Sequence, residues 1–107
     1  MNIKPIDYTN RGYNNITLLG LLNDNPIGGK TTGVTVNITV TIIKNKEIFQ
    51  DDVLPVICYG KLAELALNHL SIGKRVLAEG YIKLIDGKLS IIATEITLLS
   101  PATKQEK

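Results

Sequence analysis

Tyr59 and Lys61 stand two residues apart on either side of Gly60. A phenol ring can lie flat against a base, contributing about 1–3 kcal/mol per stacked base, and an ammonium beside it can pair with a phosphate. Tyr81 and Lys83 repeat that spacing, and Lys88 follows just past Asp86-Gly87. A third group, Lys44, Lys46 and Phe49, lies in a charged stretch, and Lys30 sits in the run Gly28-Gly29-Lys30-Thr31-Thr32-Gly33. Each residue also has an ordinary reading. A tyrosine can be a half-buried wall or interface residue, a lysine can be a solvated surface charge, and Phe49 either wedges against a base or anchors its loop. The anchor is the preferred expectation for Phe49.

Other chemistries find less support. Gly29-Lys30-Thr31 resembles the end of a phosphate-cradling loop, but that pattern needs a glycine five residues before Gly29, where Asp24 stands, and a following helix. A nucleotide hydrolase using Lys30 is therefore rejected. Cys58 beside Ile57 reads as a buried, inert thiol. With one Cys and one His, at position 69, no metal set and no Cys-His nucleophile pair can be assembled. Glu47, Asp51 and Asp52 read as a charged loop rather than a cation site. No catalytic residue, metal or cofactor is expected. Asn15-Ile16-Thr17 and Asn37-Ile38-Thr39 match the glycosylation pattern but fall in predicted strands.

Composition sets bounds on class. The chain has 107 residues, 44% of them hydrophobic, which suits one domain with a real core. The net charge of +2 permits nucleic-acid binding without requiring it, and aromatic residues make up only 5%. No apolar run approaches the roughly 20 residues of a membrane span. The polar first 14 residues lack the apolar stretch of a signal peptide, and the single Cys58 suits a reducing compartment, so a cytoplasmic setting is expected.

These residues need elements to position them. Residues 14–22 read as a first strand ending at Asn23-Asp24-Asn25-Pro26. Residues 34–42 alternate strictly, with Val34, Val36, Ile38, Val40 and Ile42 set to face inward. Residues 44–52 read as a solvated connection, and 54–59 as a third strand with Pro55 near its start. A helix is predicted over 61–70, with Leu62, Leu65, Ala66, His69 and Leu70 on one stripe. Strands over 75–83 and 88–99 flank the hairpin turn Asp86-Gly87, and Val76, Ala78, Gly80 and Ile82 are small or apolar enough to fill a tight barrel. Residues 1–13 are read as an arm, 14–100 as the domain and 101–107 as a short polar tail. A helix joining two strands in an otherwise all-β chain points to a five-stranded Greek-key barrel, the OB-fold, with one short helix between strands three and four.

At these residues the chain resembles the bacterial single-stranded DNA-binding protein family. The carrying segments are Asn15-Ile16-Thr17-Leu18-Leu19-Gly20, residues 34–41, Val56-Ile57-Cys58-Tyr59-Gly60-Lys61-Leu62-Ala63-Glu64, Gly73-Lys74-Arg75-Val76-Leu77-Ala78-Glu79-Gly80 and Thr94-Glu95-Ile96. The chain is also similar to the primosomal replication protein B. The resemblance implies an oligonucleotide-binding barrel, homo-oligomerisation as a dimer or tetramer through the first strand, and sequence-tolerant binding of single-stranded DNA in replication, recombination or repair. The aromatic family position at the end of the third strand is kept as Tyr59. The tryptophan positions fall at Val53 and near Lys46, and the aromatic of the last hairpin is lost. An acidic, hydrophobic tail tip is not found in this sequence, so recruitment of replication proteins through one is not expected.

The expected mechanism is tracking of the DNA backbone by Lys30, Lys44, Lys46, Lys61, Lys83 and Lys88, with sparse stacking on Tyr59 and Tyr81 and no catalysed reaction. The alternative expectation is a protein-protein interaction module, an adaptor of primosome type, with weak or lost DNA binding. The shortage of aromatics favours that alternative.

Overall fold

The computed structural model describes residues 13–29 and 31–99, the side chain of Phe49 excepted. Lys30, the tail over 101–107 and the arm apart from Tyr13 lie outside the described residues.

The alternating runs become strands and the apolar stripe becomes a helix. In chain order these are β1 (Ile16–Leu22), β2 (Ile27–Gly29), β3 (Gly33–Lys44), β4 (Glu47–Cys58), α1 (Gly60–His69), β5 (Arg75–Ile85) and β6 (Lys88–Leu98). Their hydrogen-bonded order is β1-β5-β6-β4-β3-β2, and a further β1–β3 pairing at Leu21 and Leu22 closes five of them into a barrel. β4 and β6 run parallel and the other pairs antiparallel. This connectivity is consistent with the oligonucleotide-binding fold. Among the described residues no helix is long and apolar enough to cross a membrane.

Several expectations need correction. The barrel has the expected five strands, but among the described residues a sixth, β2, is added at its edge by residues expected in a flexible loop, with Gly28 opposite Val34 and Gly29 opposite Gly33. Counted with β2, α1 follows the fourth strand rather than the third. Residues 44–48, 50 and 51 are exposed, as expected, but the stretch is not a loop. β3 and β4 continue through it to a two-residue turn at Asn45-Lys46, whose φ values of 56° and 65° match the twist of a hairpin. Pro55 sits well inside β4, opposite Asn37. Its missing N–H is tolerated because β6 meets β4 only at Val56 and Ile57 among the described residues, which leaves Pro55 on an open edge. His69 is exposed at the end of α1, which buries Ala63 and Ala66, with Leu70 behind them. Ile42 and Ile82 are partly exposed, at 36% and 39%, because both hairpins extend past the barrel as arms.

The interior is small and aliphatic. Val34, Val36, Ile38, Val56, Cys58 and Val76 are fully buried, and Ala78 and Ile96 pack with them. Two glycines let the wall close. A methyl group on Gly20 would overlap the carbonyl oxygen of Thr39, and one on Gly80 would overlap that of Ile92. Beside Gly80 the register slips, with Glu79 opposite Glu95 but Gly80 opposite Ala93, so Thr94 is the extra residue of a bulge. Asn14 extends the seam beyond β1. Its side-chain amide donates to the Ile82 carbonyl and accepts from the Ile82 N–H at 2.9 Å, standing in for a further strand residue.

Gly80→Ala is expected to destabilise the fold by about 3 kcal/mol through forced strand separation. Gly87→Asn, at a turn with open space around it and φ of 78°, should change stability by less than about 0.5 kcal/mol. Urea midpoints measure both, and equal effects would show that closure does not depend on the glycine.

Candidate functional site

Strand register places one line of side chains across the outside of the barrel. Tyr81 on β5 lies opposite Ile92 on β6, Ile92 beside Ile57 on β4, Ile57 opposite Thr35 on β3, and Thr35 opposite Ile27 on β2. Ile92 lies between Ile91 and Ala93, which both pack toward the core, and so faces outward. It is only 6% exposed yet stands apart from the core cluster. The outer face therefore carries an apolar strip.

Tyr59 stands at one side of this strip. It caps the start of α1 in extended conformation, at φ −125° and ψ 159°, with no side-chain cap bond. Its ring covers the α-carbon of Gly33, where a Cβ would come within 2.9 Å of Cε1. Gly33 also holds φ at 104°, so glycine is required there twice over. The ring remains 45% exposed. Lys61 projects from the first turn of α1, exposed, on the side away from Ala63 and Ala66.

Lys83 and Lys88 stand on the opposite side of the strip. Lys83 lies opposite Ser90 and Ile85 opposite Lys88, so both lysines share the outward face of Tyr81. β5 runs against the direction of β4, so residues after Tyr81 lead away from Tyr59. The separation from Tyr59 to Lys83 and Lys88 is roughly 15–20 Å by strand spacing and rise. The fold thus brings Tyr59, Tyr81, Lys83 and Lys88 onto one outer face, with Lys61 exposed in the helical turn next to Tyr59.

It does not bring Lys44, Lys46 or Phe49 to Tyr59. Glu47, at the tip of that arm, is ten residues before Ile57, on the order of 30 Å along an extended strand. Lys44 lies opposite Glu47, and Lys46 occupies the turn. Phe49 is the residue left over where Ile42 faces Gln50 and Ile43 faces Ile48. Because β4 and β6 start from the same end of the barrel, this arm shares an end with Lys83 and Lys88. Lys30 is outside the described residues.

Sequence reasoning missed Ile57, Ile92, Thr35 and Ile27. Ile57 was legible as the residue two before Tyr59, on the same strand face. Ile92 was not, because the bulge at Thr94 reverses the phase of β6, turning Ile92 out while Ile96 stays in. A polar network was missed as well. Asn23 and Asn37 donate to the Asp24 carboxylate at 3.2 and 3.4 Å, and Thr39 donates to Asn23 at 3.4 Å. Further along the same face Thr41 donates to Asp51 at 2.8 Å. The carboxylates of Asp24 and Asp51 make the distal half of β3 unfavourable for a phosphate chain, and Glu79 and Glu95, opposite each other on the outer face of β5 and β6, add negative charge beside Tyr81 and Ile92.

No family model matches the chain, and no curated protein matches it. Among solved structures it is similar to a small single-stranded DNA-binding protein from Streptomyces coelicolor, with a TM-score of 0.63 and 20% identity over 78% of this chain and 90% of that one. At that identity the likeness establishes a shared fold.

Beneath the surface, Cys58 points into the barrel and is fully buried. Loss of water around the thiolate pushes its pKa up to about 11 from 9.0. The folded state then holds the proton over a range where the unfolded chain releases it. This contribution to stability is complete below pH 9 and falls as pH rises toward 11. The wild type is expected to lose about 1 kcal/mol more than Cys58→Ala between pH 8 and pH 10. Urea denaturation at the two values measures the difference, and parallel pH slopes would rule the effect out.

Proposed function

We propose that this protein binds single-stranded DNA without strong sequence preference, as a homo-oligomer, and catalyses no reaction. The observation that carries the reading is the apolar strip Tyr81–Ile92–Ile57, with Tyr59 and Lys61 on one side and Lys83 and Lys88 on the other. The similarity in fold to a single-stranded DNA-binding protein supports it. Bases stack on Tyr59 and Tyr81 and lie over the isoleucines, while the lysines pair with phosphates and release counterions. A role in replication, recombination or repair within the cytoplasm accords with that activity, with replication proteins as neighbours on the same strand.

Three lysines border the strip, so log affinity for oligo(dT) should fall against log salt with a slope near −2, at roughly 0.7 per phosphate contact. Tyr59→Ala should weaken binding about tenfold, from lost stacking. Fluorescence titration across a salt series reads both. No binding at low salt would overturn the function, and an affinity independent of salt would overturn the backbone tracking.

The homo-oligomer rests on β1. Residues 16–20 pair with β5 along one edge, and among the described residues their other edge has no ladder partner. Leu19 on that strand is 49% exposed. An apolar open edge is stable in solution when a second copy pairs with it. Light scattering at micromolar concentration should give at least twice the 11.7 kDa of one chain, and the mass of a monomer would contradict the pairing.

An adaptor that binds protein instead is the second reading. The carboxylates of Asp24 and Asp51, which accept from Asn37 and Thr41 of β3, favour it, since they stand beside the proposed DNA path.

A further inference from the structure

A groove of about 600 Å3 opens where the end of β1, the turn before β5 and the end of β6 meet. It is separate from the strip described above. Arg75, on its edge, is six residues from Tyr81 along β5, roughly 20 Å in an extended strand. Its floor is aliphatic, with Leu21, Ile72 and Leu98 exposed to 49%, 61% and 44%. Lys74 and Arg75 stand exposed on its rim, and no carboxylate lines it among the described residues.

The groove is preformed. Leu22 N–H donates to the Lys74 carbonyl, Gly73 N–H to the Leu22 carbonyl and Leu99 N–H to the Arg75 carbonyl, each at 2.9 Å. The Ile72 N–H donates to the Asn25 side chain at 2.8 Å, which pins the turn from its other side. A concave apolar surface with a few fixed polar groups and little ordering left to do is suited to ligand capture.

We propose that this groove binds a short acidic segment of a partner protein, with an apolar side chain on Leu21, Ile72 and Leu98 and carboxylates on Lys74 and Arg75. Charge selects the occupant. A second copy seated groove to groove across a two-fold axis would set Lys74 and Arg75 against themselves. The chain's own residues 100–107 carry Lys104 and Lys107 against one Glu106, so they offer these cations a net positive partner. Single-stranded DNA would satisfy the cations, but the aliphatic floor holds no ring for a base to stack on. This site uses neither Tyr59 nor Tyr81 and stands independently of the DNA-binding reading.

The test is fluorescence anisotropy with the full chain and a labelled nine-residue peptide of aspartates interrupted by one leucine and one phenylalanine. Saturable binding is expected, weakened at least tenfold by Lys74→Glu with Arg75→Glu and at least fivefold by Ile72→Ser. It should be lost when the probe's aspartates become lysines. Ile72 is on the surface, so its replacement should leave the urea midpoint and oligo(dT) affinity unchanged. The proposal is overturned if the wild type shows no saturable binding, or if the charge-reversed chain binds the probe as well as the wild type. It also falls if Lys74→Glu with Arg75→Glu weakens oligo(dT) as much as the peptide, which would give the cations to a nucleic-acid path. A change in oligomer mass on Ile72→Ser would overturn it too, by making the groove a contact between copies.

Discussion

The barrel depends on two places where backbones touch with no side chain between them. At Gly20 the chain of β1 passes against the Thr39 carbonyl, and at Gly80 the chain of β5 passes against the Ile92 carbonyl. A closed barrel of five strands is narrow, so its interior accepts side chains no larger than those of Val34, Val36, Ile38, Val56 and Val76, with alanines where α1 presses in. Without close approach at the seams the strands would spread into an open sheet, and that aliphatic face would be wet. The same contact at Gly80 is bound up with the bulge at Thr94, because the extra residue lets β6 bend around β5. Since the bulge reverses the facing of β6, the demand for closure also puts Ile92 on the outer surface. Core geometry and candidate site thus have one cause.

Much of this architecture is written in local pattern. Strict alternation from Val34 to Ile42, the helical stripe around Ala66 and the Asp86-Gly87 turn each name their own structure, because side-chain period and turn chemistry act over a few residues. The errors fall where partners distant in sequence decide. Gly28 and Gly29 look like loop residues, yet they pair as β2 because β3 offers an edge. Residues 44–52 carry enough charge to read as solvent-exposed loop. Most of them are exposed, but as a ribbon whose Asn45-Lys46 turn tolerates left-handed backbone. Polarity reported their exposure correctly and their conformation wrongly.

The candidate site divides in the same way. Tyr59, Lys61, Tyr81, Lys83 and Lys88 were chosen for chemical type, and the fold collects all but Lys61 onto one outer face, with Lys61 in the helical turn next to Tyr59. Lys44 and Lys46 were chosen on the same grounds and lie on an arm remote from Tyr59, since nothing in a lysine's identity reports how far its hairpin extends. Ile57, Ile92 and Ile27 were passed over because aliphatic residues look like core. Only pairing across β4, β6 and β3 shows that they face out.

Placement of charge, more than its total, must then determine what the surface holds. Twelve cations against ten carboxylates leave too little net charge to attract a polyanion from all sides. Asp24 and Asp51 concentrate negative charge over the distal part of β3, and Glu79 and Glu95 place more on the Tyr59 side of Tyr81, so a phosphate chain meets least repulsion toward Lys83 and Lys88. At the other end of β5 the same economy is arranged differently. Lys74 and Arg75 stand beside leucine and isoleucine rather than tyrosine, so an ion of opposite charge gains there only if it brings an aliphatic or aromatic side chain with it. One strand therefore carries two cationic sites that differ in their apolar partner. Stacking rings favour bases, and an aliphatic floor favours a peptide.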